Sequence, residues 1–233
     1  MPAEEKIEQP DYLGHRQRLK ARFEQTGFHG FQDYEALEFL LYFVLPRKDT
    51  KPIAIKLLKR FHNFIGVIHA DNRELQKIEG IGSHAAHYLK AIGASISFYF
   101  DEKTKQEDFQ FTSLEQLVDY FQATIGGKPN EVLRILYLNS KNMLIDAENL
   151  SEGTVSEAVA FPRRIVEGAI KYGATTVIIG HNHPGGLQEP SDNDNAITEE
   201  IAKALRTVGI SRQEHVIVAS DGFYSYRQNG FLS

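Results

Sequence analysis

Cysteine is absent from the 233 residues. Without it there is no disulfide scaffold and no closed zinc site built on thiolates. The absence agrees with a reducing compartment, so a cytoplasmic protein is expected. No apolar run approaches the roughly 20 residues that a membrane-spanning helix needs, so no contact with membrane is expected. Met1 to Gln9 is polar and acidic and lacks the apolar core of a secretory signal. Period-two alternation is missing before residue 94, so the first half is expected to be helical. Nothing suggests a Ser-His-Asp triad. Positive charge is short overall, with a net of -5, and the deficit is uneven. Residues 1–100 carry 14 Lys+Arg against 12 Asp+Glu, and the remainder 12 against 19. A mildly basic half joined to an acidic one fits a binding module attached to a catalytic one.

What is present centres on residues 180–194. Thr175 to Ile179 is a β-branched apolar run that reads as a buried strand. His181 and His183 follow just past its C-terminal end. Asp194 falls in the first turn of the next helix, where Ile197, Ile201, Ala204 and Leu205 have helical spacing. That edge is where open α/β sheets place their ligands. Residues two apart in an extended segment point the same way, so both imidazoles can face one point. Pro184 and Pro190 stiffen the intervening loop, and Gly185 and Gly186 bend it. A single histidine is more often a core or loop residue than a ligand. Two imidazoles and a spaced carboxylate together form a three-ligand set that leaves a fourth position for water. Zinc is the default ion, and other first-row divalent ions suit the same ligands.

His181-x-His183, then seven residues, then Ser191-x-x-Asp194, resembles the JAMM (MPN-plus) metalloprotease signature. His-Asn-His-Pro, with Pro-Ser before the final aspartate, resembles the RadC-type branch of that group. The resemblance covers about residues 111–233 and includes Gly153-Thr154. It implies an α/β fold: three layers around a mixed sheet, JAB/MPN-like and of cytidine-deaminase-like architecture. It also implies one catalytic zinc ion on His181, His183 and Asp194, and a glutamate on an early strand that handles protons for the attacking water. Glu131, leading Val132-Leu133-Arg134-Ile135-Leu136, fits that position, with Glu152 as its rival. Ser191 suits the helix N-cap, and the resemblance adds a role in steadying an oxyanion. The implied substrate is a peptide or protein conjugate. His215 reads as a hydrogen-bonded interior histidine rather than a ligand. Two positions depart from the family's wording: Arg164, where Glu often follows Pro-Arg, and Gly185, where Ser is common. Neither is a proposed ligand.

Before this region, residues 1–12 read as a flexible arm. A basic amphipathic helix is expected over 14–25, and a second over 33–44 with Asp33 as N-cap. Pro46 ends it, and Pro52 opens a third over 53–61. Leu75 to Lys90, with Gly80-Ile81-Gly82 between two short helices, resembles the helix-hairpin-helix module of many DNA repair proteins. Its glycines permit a tight turn, and helix-start amides can meet a phosphate. Non-specific DNA contact would then involve Lys77, Gly80, Gly82 and Lys90. The alternative is a packing turn in a docking or dimerisation domain, and hence a homodimer. Gly14-His15-Arg16, Asp33-Tyr34-Glu35 and Pro46-Arg47 also resemble the RadC N-terminal region.

The expected division is a small all-α domain over 13–100, a charged linker over 101–111, and the metallohydrolase domain over 112–233. In the last of these, a helix after Ser113 is followed by a strand over 131–138. A turn at 139–142 leads into a strand over 143–147, and a helix follows over 162–172. Strands over 214–219 and 223–226 close the chain. Two functions compete: a zinc-dependent hydrolase of amide bonds linked to DNA repair, and a DNA-binding factor whose metal site cuts nucleic acid or is only structural.

Overall fold

The structure is a computed structural model that describes residues 11–106, 109–152, 161–184 and 186–231. Gly153-Thr154 and Gly185 lie outside the described residues, as does most of the expected N-terminal arm. The chain divides into two compact units at Lys90/Ala91 rather than near residue 100.

Unit 1 is helical: α1 Asp11–Thr26, α2 Asp33–Leu41, α3 Lys51–Phe61, α4 Phe64–His69, α5 Asn72–Gln76, and the opening turns of α6 Ser83–Thr104. Its core is Leu37, Leu41, Leu57, Val67, Leu75, Ile81 and Leu89, from five helices and the 80–82 turn. Each such side chain contributes about 1.5–3 kcal/mol by leaving water. α2 stops at Leu41, not Val44. The chain bends away there because Arg16 of α1 takes the carbonyls of Leu45, Pro46 and Lys48. Asp33 is not the cap. Glu35 accepts from the Gln32 amide at 2.9 Å, and Asp33 accepts from the Phe64 amide, tying α4 to α2.

α6 runs to Thr104, so the first four residues of the expected linker are helical. Asp101 pairs with Arg134 at 2.8 Å and accepts from the Tyr120 hydroxyl, so it is not part of a solvated spacer.

Unit 2 is an α/β domain. α7 spans Leu114–Phe121, capped by Ser113 and followed by one π-helical turn at Gln122–Gly126. The remaining elements are β1 Val132–Leu138, β2 Leu144–Glu152, α8 Phe161–Tyr172, β3 Thr176–His183, α9 Asp192–Thr207, β4 Ser211–Ala219 and β5 Gly222–Ser225. The sheet order is β2-β1-β3-β4-β5, antiparallel except for the β3–β4 pair. Parallel neighbours need a crossover, and α9 supplies it.

Helices cover both faces. On one, Ile135, Tyr137, Val177 and Ile179 pack against Ile165 and Ala169 of α8 and Ile201 and Leu205 of α9. On the other, Val132, Leu136, Ile178, Val216 and Val218 meet Leu117, Tyr120 and Phe121 of α7. Two-sided cover is why β1 is a nearly unbroken apolar run and why β3 is buried from Val177 through Asn182. No helix among the described residues is long and apolar enough to cross a membrane.

Candidate metal centre

β3 does not end before the two histidines; it carries them. Residues 176–183 are all extended, and His181 and His183 pair with Ile217 and Ala219 of β4. The two-residue period then decides direction. His181 and His183 share the α8/α9 face with Val177 and Ile179, while Gly180 and Asn182 face α7. Ser191 caps α9, accepting from the Asp194 amide at 3.1 Å, and Asp194 accepts from the Ser191 amide at 2.8 Å. This reciprocal cap holds the Asp194 carboxylate over the end of β3.

The three side chains converge. His181 Nε2 and His183 Nε2 are 2.9 Å apart, and each lies 3.4 Å from an Asp194 carboxylate oxygen. Among the described residues this is the one His/Asp/Glu group able to hold an ion, with its ligand atoms within 4.8 Å of one another. A tetrahedral site with ~2.0–2.1 Å bonds has edges of roughly 3.3–3.4 Å. Each histidine–aspartate distance meets that value, though to different carboxylate oxygens, Oδ1 for His181 and Oδ2 for His183; the histidine–histidine edge is a few tenths of an ångström short.

The donor chemistry demands a positive charge. His183 Nδ1 faces the Leu187 carbonyl at 2.7 Å, and a carbonyl only accepts, so the neutral ring has its proton on Nδ1 and a bare Nε2. That lone pair, the Asp194 carboxylate and the opposing His181 Nε2 all face one point. A cation or a shared proton must sit among them. Burial pushes the His181 imidazole down to about 4. His183 is pushed the other way, chiefly by its hydrogen bond to Asp194 and against its own burial. Burial opposes ionisation of Asp194, yet His183 and His181, whenever their rings carry a second proton, and the hydrogen bonds from Ser191 hold its carboxyl well below the usual range. The residues present therefore fit a divalent metal.

Glu131 sits just ahead of β1, half exposed, with Oε1 3.8 Å from His183 Nε2. Asn182 places it. This fully buried side chain accepts from the Val132 amide at 2.8 Å and donates to the Lys128 and Asn130 carbonyls at 3.1 Å. The middle residue of His-Asn-His thus fastens the Glu131 loop to the far side of the same strand. Ser191's hydroxyl proton goes to Asp194 Oδ2 at 2.6 Å. The Glu152 side chain lies outside the described residues. His215 is fully buried in β4 and touches His181 through Nε2, as an interior brace would.

The hairpin residues of unit 1 have other partners. Lys77 pairs with Glu74, and Lys90 donates to the His69 carbonyl. Gly80 has φ +98°, and a Cβ there would lie 2.7 Å from Ile53. The Gly82 site is open.

Sequence reasoning passed over Asn182 and Thr198. Thr198 was findable: it follows Asp194 by four residues on one helix, so the two share a face.

A mixed sheet clad on both faces, with His-x-His at the end of a central strand and an aspartate on the crossover helix, defines a JAB-type domain. The chain belongs to the RadC-like JAB domain family, whose model matches residues 111–231. UPF0758 protein FN0909 from Fusobacterium nucleatum is 34% identical over 232 residues, covering 97% of this chain and 100% of that one.

Proposed function

We propose that the chain is a zinc-dependent hydrolase of amide or isopeptide bonds, acting on a peptide or protein conjugate. The observation that carries this is a three-ligand pocket of bare nitrogen and carboxylate lone pairs with a second, half-exposed carboxylate beside it. His181, His183 and Asp194 would hold the ion. Bound there, zinc acts as a Lewis acid toward a carbonyl and makes water acidic enough to attack near pH 7. Glu131 is near enough to accept a proton and hand it to the departing amine. Ser191 aligns Asp194; donating to an oxyanion as well would require its hydroxyl to release Oδ2.

The test is Glu131→Gln, assayed on peptide and isopeptide-linked conjugates. It should keep zinc and lose roughly 10²–10⁴-fold in rate, the usual share of a general base. Undiminished turnover in that variant, or turnover by the wild type after zinc is stripped, rules the proposal out.

A second reading, non-specific nucleic-acid binding by the helical unit with a link to DNA repair, is favoured by a different observation. The Arg16 clasp brings Arg47 and Lys48, both exposed, against the helix that displays Arg18 and Lys20. Phe43, four residues before Arg47, is 60% exposed, which suits base stacking. Binding to a single-stranded oligonucleotide, followed by anisotropy, should weaken steeply as salt rises from about 50 to 200 mM. Arg47→Glu with Lys48→Glu should weaken it further than Lys77→Glu. No binding at low salt would end this reading.

A further inference from the structure

We propose that Thr198 and His215 set the proton arrangement that makes His181 a metal ligand; the inference rests on the metal-site reading above. Neither side chain reaches the pocket. They form a buried chain from the backbone of one ligand to the ring of another.

The direction of that chain follows from what each group can donate. The Asp194 carbonyl can only accept, so Thr198 Oγ1 donates to it. A hydroxyl has one proton. At its 2.8 Å contact with His215 Nδ1, Thr198 must therefore accept, and the proton is on His215 Nδ1. A second proton on this fully buried ring would take a full charge out of water, so His215 Nε2 is bare. It accepts from His181 Nδ1 at 2.8 Å. His181 then has its proton on Nδ1, and its Nε2 lone pair faces His183 and Asp194. Read in sequence, these donors and acceptors place one lone pair in the site.

The framework keeps these groups in place. Thr198 lies one helical turn beyond Asp194. The His215 ring stacks on Tyr226 at 4.8 Å and 11°, and the Tyr226 hydroxyl donates to Asn195 Oδ1 at 3.0 Å. Remove the Thr198 hydroxyl, and His215 is free to place its proton on Nε2. It would then donate to His181, whose own proton would move to Nε2 and point into the site. Thr198 and His215 are positioning residues, because they act only through the ligands.

The experiment uses full-length protein and zinc alone, with affinity measured by chelator competition. Thr198→Val, close in shape, should lose roughly 10–100-fold in zinc affinity, the usual cost of removing a group that braces a ligand. Thr198→Ser should bind within about threefold of wild type, because the hydroxyl is what matters. The ring-nitrogen NMR shifts of His181 should report the proton on Nδ1 in wild type and the serine variant, and on Nε2 in a fraction of the valine variant. Should valine prevent folding, a second pair decides. His215→Gln offers an amide oxygen to His181 and should bind better than His215→Leu. Equal affinity in the valine variant and wild type, or equal losses in both members of a pair that folds, overturns the proposal. A wild type that takes up no zinc overturns the metal reading and this inference with it; normal uptake with indifferent Thr198 and His215 variants overturns this inference alone.

Discussion

Replacing His183 by alanine is expected to abolish zinc binding while leaving the unloaded fold almost unchanged. Wild type at a zinc concentration about 100 times its Kd should gain about 2.7 kcal/mol, which is on the order of 5–10 °C in Tm. The variant should gain nothing. The asymmetry follows from the geometry. His183 supplies one of three ligands, and two ligands do not make a selective site. In the unloaded protein its Nε2 meets that of His181 at 2.9 Å, a contact that is favourable only while a proton is shared there, so alanine removes little net stabilisation. The apo variant should therefore unfold within about 1 kcal/mol of wild type. Scanning calorimetry with and without zinc reads both quantities. A zinc-induced rise in Tm that survives in the variant would show that the ion binds elsewhere. Protons should compete with the metal as well. His183 is pushed up, so on acidification it takes a proton at a higher pH than a free imidazole does. Apparent zinc affinity should fall as pH drops through that range and recover as pH rises.

The second large effect is expected at Gly180, immediately before the first ligand. On the α7 face, a Cβ at this position would lie 2.4 Å from two ring atoms of Phe121. Phe121 is fully buried and packs with Tyr120, Ile125 and Val132, so its ring has no room to retreat. Gly180→Ala should cost about 2–3 kcal/mol and lower Tm by roughly 5–10 °C. Gly82→Ala is the control: its site is open and its φ is not positive, so it should change stability by about 0.5 kcal/mol at most. If Gly180→Ala unfolds together with the control, then the close approach of α7 to β3 is not tight.

Much of the second unit was legible because its signals are short-range. Short apolar runs, the Ser191 cap and the His-x-His spacing act over one to four residues, so local order reveals them. The true end of β3 was not legible. Two histidines look like the end of an apolar strand, but pairing with Ile217 and Ala219, far along the chain, extends the ladder through them. The end of α2 and the helical start of the stretch after residue 100 depend on long-range contacts in the same way. Arg16 reaches 29–32 residues ahead to hold Leu45, Pro46 and Lys48. Arg134 reaches back 33 residues to Asp101 and removes it from any linker. Lys77 and Lys90 illustrate the opposite case: both suit a phosphate on paper, but their charges have partners within the unit.

By itself the order of residues determined which side chains could bind a metal and that two of them would share one side of a strand. Backbone periodicity and ligand chemistry act locally, and they are enough for that. Only the tertiary structure decided that Asp194 closes on those two histidines, that Asn182 anchors Glu131 from the reverse side of β3, and that Thr198 and His215 orient His181. These are hydrogen bonds and packing contacts between segments 17–54 residues apart, or across a turn whose path the neighbouring strands set.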